Sequence, residues 1–131
     1  MYQAFTDPDQ LAQWYGPNGF PVPRDTVEID ARVGGAMRFT MVSEADPSLR
    51  SGVNAQFTEV VENAVLACAQ EWDGVPGQAG TWSNDLRVEF YDDEAKTRLV
   101  LREGPHPPGT ADFGRQAWQM MFAKLDAFLN G

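Results

Sequence analysis

The last twenty residues, Ala111 to Asn130, constrain the fold of this chain more than any other stretch. Trp118, Met121, Phe122, Leu125, Phe128 and Leu129 recur at i, i+3, i+4 and i+7. That spacing puts them on one apolar stripe of a helix turning every ~3.6 residues. Arg115, Gln119, Lys124 and Asp126 fall mostly on the rest of the cylinder. Twenty residues rising about 1.5 Å each span roughly 30 Å, the width of a small domain. Almost everything upstream carries the period of two that marks β-strands. The simplest architecture therefore lays this helix across a curved sheet.

The upstream pattern opens with two short helical pieces between Met1 and Tyr15. Thr6 or Asp7 can cap a helix with Pro8 in its first turn, where proline's missing N–H costs nothing. Leu11, Trp14 and Tyr15 supply its apolar face, and Gly16-Pro17-Asn18-Gly19 stops it. Pro21 and Pro23 keep the following loop extended, with Phe20 and Val22 tucking inward. Strand signals then begin at Asp25. Val27, Ile29 and Ala31 alternate with Glu28, Asp30 and Arg32, and Gly34-Gly35 makes a tight turn. Met37, Phe39 and Met41 alternate with Arg38 and Thr40; Val53, Ala55 and Phe57 begin a strand that runs to about Val61. Glu62-Asn63 breaks it before Val65 to Trp72, where the small residues Ala67-Cys68-Ala69 blur the alternation. Asp73 to Gly80 is a loop, and Asp92-Asp93-Glu94 an exposed turn between the strands around Leu86-Val88-Phe90 and Leu99-Leu101. Gly104 to Gly109 is a stiff connector into the final helix. Short connections between six strands favour an antiparallel meander, because parallel neighbours need crossovers of roughly a dozen residues.

Composition excludes several function classes. A chain of 131 residues without repeats or a second composition regime is expected to be a single domain over residues 1–131. The formal net charge is −9, with no basic cluster to offset it. A field of that sign repels phosphate backbones and anionic membrane surfaces, so neither nucleic acid nor membrane is an expected partner. No apolar run approaches the ~18–20 residues of a span. With no basic-then-apolar leader in view, the expected location is cytoplasmic. Cys68 is the single cysteine and His106 the single histidine, so neither an internal disulfide nor a cysteine- or histidine-rich metal site is expected. The expectation is no metal and no cofactor. Cys68 lies in an apolar strand as a small hydrophobe, His106 lies among prolines in a connector, and Asp30 with Arg32, one strand period apart, reads as structural rather than catalytic, paired with each other or capturing a neighbouring charge.

Several stretches resemble one known family. Ala4-Phe5-Thr6-Asp7-Pro8, Leu11 and Trp14-Tyr15-Gly16-Pro17 resemble the opening of the activator of heat-shock-protein-90 ATPase homologue family. Val27 to Gly35 resembles that family's V-E-x-D-x-R-x-G-G strand and turn. Glu59-Val60-Val61 with Leu66, and Thr97 to Leu101, resemble its later strands, and Trp118 with Phe122 to Leu125 its closing helix. The resemblance implies an α+β helix-grip fold of the SRPBCC superfamily, related to START and birch-pollen-allergen domains. There a curved antiparallel β-sheet wraps around a long C-terminal α-helix and leaves a cavity between them.

Three departures stand out. Family members carry a strand before the first helix, and Met1 stands where that strand should have ended. Either the chain is shortened or the sheet keeps an open edge, which invites homodimerisation by strand pairing. Tyr15 replaces a tryptophan and is expected to put a hydroxyl at the cavity mouth. Ala117 replaces a glycine, which would set the helix slightly further from the sheet.

The resemblance implies ligand-binding walls at Trp14, Phe20, Met37, Phe39, Met41, Phe57, Trp72, Phe90, Trp118 and Phe122, with Tyr15 as polar handle. Around the helix, Trp118 and Phe122 should face the cavity while Leu125 to Leu129 pack in solid core. The leading expectation is a non-enzymatic protein that binds a small apolar or amphipathic molecule. A second is a chaperone-linked, stress-response module that stimulates a heat-shock ATPase, with acidic charge aiding docking. A third is a cyclase- or hydrolase-type enzyme, which needs a polar group in the cavity. No nucleophile elbow, phosphate loop or zinc-helix motif supports it, and no catalytic residue is assigned.

Overall fold

The computed structural model describes residues 2–73, 81–93, 96–105 and 111–130. The loop expected at Asp73 to Gly80, most of the connector with His106, and the tip of the turn after Asp93 lie largely outside them. Two short helices come first, α1 (Tyr2–Thr6) and α2 (Pro8–Trp14). Asp7 is the cap between them: its carboxylate accepts the Asp9 N–H at 2.9 Å, and Pro8 occupies the first turn. Six strands follow: β1 (Glu28–Ile29), β2 (Ala36–Val42), β3 (Arg50–Val61), β4 (Val65–Asp73), β5 (Thr81–Asp93) and β6 (Lys96–Gly104). They form one antiparallel sheet in sequence order, and α3 (Ala111–Asn130) closes the chain.

The first strand is much shorter than the alternation from Val27 to Arg32 suggests. Arg24–Thr26 forms a single tight 3-10 turn, stabilised by Thr26 Oγ1 donating to the Pro23 carbonyl at 2.7 Å. After Ile29 the chain turns back, with the Arg32 N–H reaching the Asp30 carbonyl at 2.8 Å. Arg32 and Asp30 form an ion pair at 2.7 Å, but both side chains are exposed, so the pair contributes little to stability. In β3 the register slips between Phe57 and Glu59, leaving Thr58 as the extra residue of a bulge, a device that bends a strand and increases its twist.

The inner face of the sheet carries Met37, Phe39, Val53, Phe57, Leu66 and Val88, all buried and packed with Leu11, Trp14 and Met121 of the helices. Each such side chain removed from water contributes about 1.5–3 kcal/mol. On α3, Trp118, Met121 and Leu125 are buried, and Phe122 and Phe128 are partly buried. Leu129 departs from the expected solid core: it is 41% exposed. It stands in the last turn of α3, one residue before the helix ends.

Candidate functional site

The end of the inner face formed by β4, β5 and β6 is polar. Gln70 and Asn84 face each other across β4 and β5, and Glu103 follows on β6. Gln70 Nε2 donates to Asn84 Oδ1 at 3.0 Å and to Glu103 Oε2 at 2.9 Å. The Trp72 indole N–H donates to Asn84 Oδ1 at 3.1 Å. From the helix side, the Trp118 indole N–H reaches Glu103 Oε1 at 3.2 Å. Gln70 and Asn84 are 2% and 7% exposed, so this cluster is part of the interior. Among the described residues, Gln70 Oε1 is a buried acceptor with no donor.

Beside this cluster a cleft of about 460 Å³ opens between β6 and the N-terminal half of α3. Leu101 and Glu103 form its sheet wall, and Gly114, Arg115, Trp118, Gln119 and Phe122 its helix wall. A shallower groove of about 600 Å³ crosses the opposite face of the sheet over Arg38, Asn54, Gln56, Glu71, Ser83 and Asp85. Those side chains point away from the core, and most of them are solvated.

Aromatic rings run from the cleft into the core. Phe122 packs on Trp118 with ring centroids 5.6 Å apart, Trp118 on Tyr15 at 5.6 Å, and Tyr15 on Phe39 at 4.5 Å. The last two contacts are edge-on, the arrangement favoured by ring quadrupoles. The loop bearing Tyr15 is tied to α3 at two points. The Gly16 N–H donates to the Met121 thioether at 3.2 Å, and Lys124 Nζ donates to the Gly16 carbonyl at 2.8 Å. Burial pushes the Tyr15 hydroxyl well above its ordinary value of 10.0, with Glu103 and then Cys68 adding in the same direction. Burial likewise pushes the Cys68 thiol from 9.0 up to about 12, with Glu103 and Asp85 contributing. A thiol so raised stays protonated at neutral pH and is a poor nucleophile.

The residues expected to form ligand walls occupy three environments. Trp118 and Phe122 line the cleft. Trp72 is partly buried and belongs to the polar cluster through Asn84. Met37, Phe39, Met41, Phe57 and Phe90 are buried on the sheet, and Trp14 is fully enclosed, its indole N–H donating to the Ala4 carbonyl at 2.8 Å. Phe20 is partly buried against the core. Tyr15 departs from the expected cavity mouth: it is 4% exposed, enclosed by Trp14, Phe39 and Trp118. Gln70, Asn84 and Glu103 were not singled out by sequence reasoning. Extending the alternation from Leu66 and Cys68 to residue 70, and from Leu99 and Leu101 to residue 103, was the available signal.

A long helix held against a curved antiparallel meander, with short helices closing one end, defines the helix-grip class of α+β protein. The chain belongs to the family described as "Activator of Hsp90 ATPase homolog 1-like protein", whose model matches residues 1–130. Solved structures agree on the fold. A protein from Chromobacterium violaceum is 24% identical with a TM-score of 0.82, over 96% of this chain and 84% of that one. The AHSA1 protein from Silicibacter pomeroyi is 23% identical with a TM-score of 0.80, over 98% and 87%. A protein from Rhodobacter sphaeroides is 16% identical with a TM-score of 0.80, over 98% and 82%. The comparison with curated proteins returned no match. Among the described residues, no helix is long and apolar enough to cross a membrane.

Proposed function

We propose that this chain acts as one cytoplasmic domain that binds a small hydrophobic or amphipathic molecule in the cleft between β6 and α3. The carrying observation is the composition of that cleft: Leu101, Trp118 and Phe122 give it an apolar wall, and Glu103 gives it a polar end. Pockets of a few hundred Å³ with apolar walls and a few convergent polar groups are the usual form of small-molecule sites. The protonated Cys68 and Tyr15 offer no activated nucleophile or base, which favours binding over catalysis. The test is a titration with the neutral fluorescent probe N-phenylnaphthylamine. Saturable binding that weakens in Phe122→Ala supports the reading; absence of saturable binding refutes it.

A second reading draws on the family match over residues 1–130 and the net charge of −9. In it the domain docks on a basic surface of a heat-shock chaperone and stimulates its ATPase, alone or as a homodimer paired through the β6 edge. ATPase turnover of the chaperone from the same organism, measured with and without this chain, decides it: an unchanged rate removes the reading.

A further inference from the structure

Resting on the cleft-binding reading, we propose that the cleft selects ligands carrying an ammonium group on a short apolar body, and that Glu103, which lines the cleft, receives that group. The orientation of the Gln70 amide is set by its partners. The Trp72 indole can only donate, so the atom it meets on Asn84 is the oxygen. Gln70 turns its nitrogen to that oxygen and to the Glu103 carboxylate. Oε1 is then the branch of the amide left over, inside a residue 2% exposed and without a donor among the described residues.

That oxygen lies outside the cleft's lining, whereas Glu103 belongs to it. Its oxygens accept from two neutral groups, the Gln70 amide and the Trp118 indole. Among the described residues, none of the ion pairs includes it. A partly buried carboxylate met only by neutral donors keeps its charge uncompensated. Arg115, the cation on the cleft's other wall, is engaged with Asp112 at 3.1 Å.

Among the described residues, Glu103 thus has no positive partner, and it lines the cleft beside Leu101, Trp118 and Phe122. An alkylammonium supplies that charge, with three N–H donors on one compact group. A hydroxyl brings a hydrogen but no charge, and a carboxylate meets Glu103 with like charge. At longer range the net charge of −9 favours the same choice.

The experiment titrates the full chain with octylamine, octanol and octanoate at neutral pH. Calorimetry gives affinities, and NMR follows the four indole N–H signals. The expected result is octylamine tighter than octanol by roughly tenfold or more, since a charge-assisted bond to a partly buried carboxylate is the added interaction. Octanoate should be weakest. Shifts should concentrate on Trp72 and Trp118. The indoles of Trp14, bound to the Ala4 carbonyl, and Trp82, bound to the Pro105 carbonyl at 2.9 Å, should stay in place. Glu103→Gln should erase the preference for amine over alcohol while octanol still binds. Equal affinities for the three compounds, or a preference for octanoate, overturn the ammonium assignment and leave the apolar cleft standing. No saturable binding by any of them overturns the cleft reading and this inference together. The wild-type series decides the question even where Glu103→Gln fails to fold.

Discussion

Gly16 and Gly19 form a matched pair for testing what fastens the loop after α2 to α3. Both have left-handed backbones, with φ of 99° and 89°. A Cβ on Gly16 would stand 2.1 Å from the Phe20 carbonyl oxygen, whereas one on Gly19 meets nothing within 4 Å. An L-residue held at positive φ costs about 1–2 kcal/mol, and Gly19→Ala should lose about that much. Gly16→Ala adds a collision with main chain, which cannot swing aside as a side-chain tip can. The loop must move, and with it the bonds from Gly16 to Met121 and Lys124. Each such bond is worth about 0.5–1.5 kcal/mol, so the total loss should reach about 2–5 kcal/mol. That is a large share of the roughly 5–15 kcal/mol that holds a domain together. Urea unfolding followed by tryptophan fluorescence measures both variants, with an unchanged m-value confirming that stability alone has moved. Equal midpoint losses in the two variants would refute the argument from the Phe20 contact.

Two further predictions follow from burial. Leu11→Ala, at a side chain 1% exposed, should cost about 2–5 kcal/mol, while Leu129→Ala, at 41% exposed, should stay within about 0.5 kcal/mol in the same unfolding assay. Cys68 should resist thiol reagents at pH 8 until the chain is unfolded, and stoichiometric labelling of the folded protein would contradict its burial. Because the folded Cys68 and Tyr15 values are raised, their contribution to stability is complete below pH 9 and is lost as pH climbs from 9 toward 12. Cys68→Ala should flatten that decline in an unfolding series run against pH.

The fold was legible wherever a period persisted for several residues. The stripe on α3 and the alternations through Met37–Met41, Val53–Phe57 and Leu86–Phe90 each have a packed face in the structure. Legibility failed where local turn bonds competed with the ladder. The Val27 N–H turning to the Arg24 carbonyl and the Arg32 N–H to the Asp30 carbonyl leave only Glu28 and Ile29 in the first strand, which hydropathy cannot register. At the candidate site, an alternation of hydropathy does not separate a buried polar residue from a solvated one. Gln70 and Asn84 are interior, with the Gln70 amide N–H bonded to the Asn84 oxygen across β4 and β5, a pairing visible only once the register is known. Tyr15, expected at the cavity mouth from the family's tryptophan position, is enclosed by three aromatic neighbours.

The Trp118 indole packs against Tyr15, lines the cleft and bonds Glu103, so stability and recognition share one side chain. A change there alters the scaffold and the binding surface at once. Arg115 and Gln119 line the same cleft from exposed positions, where substitution leaves the interior packing largely untouched. Diversification of ligand preference on this scaffold therefore has an open route: re-line the outer wall at those two positions and leave Trp118 and Phe122 in place.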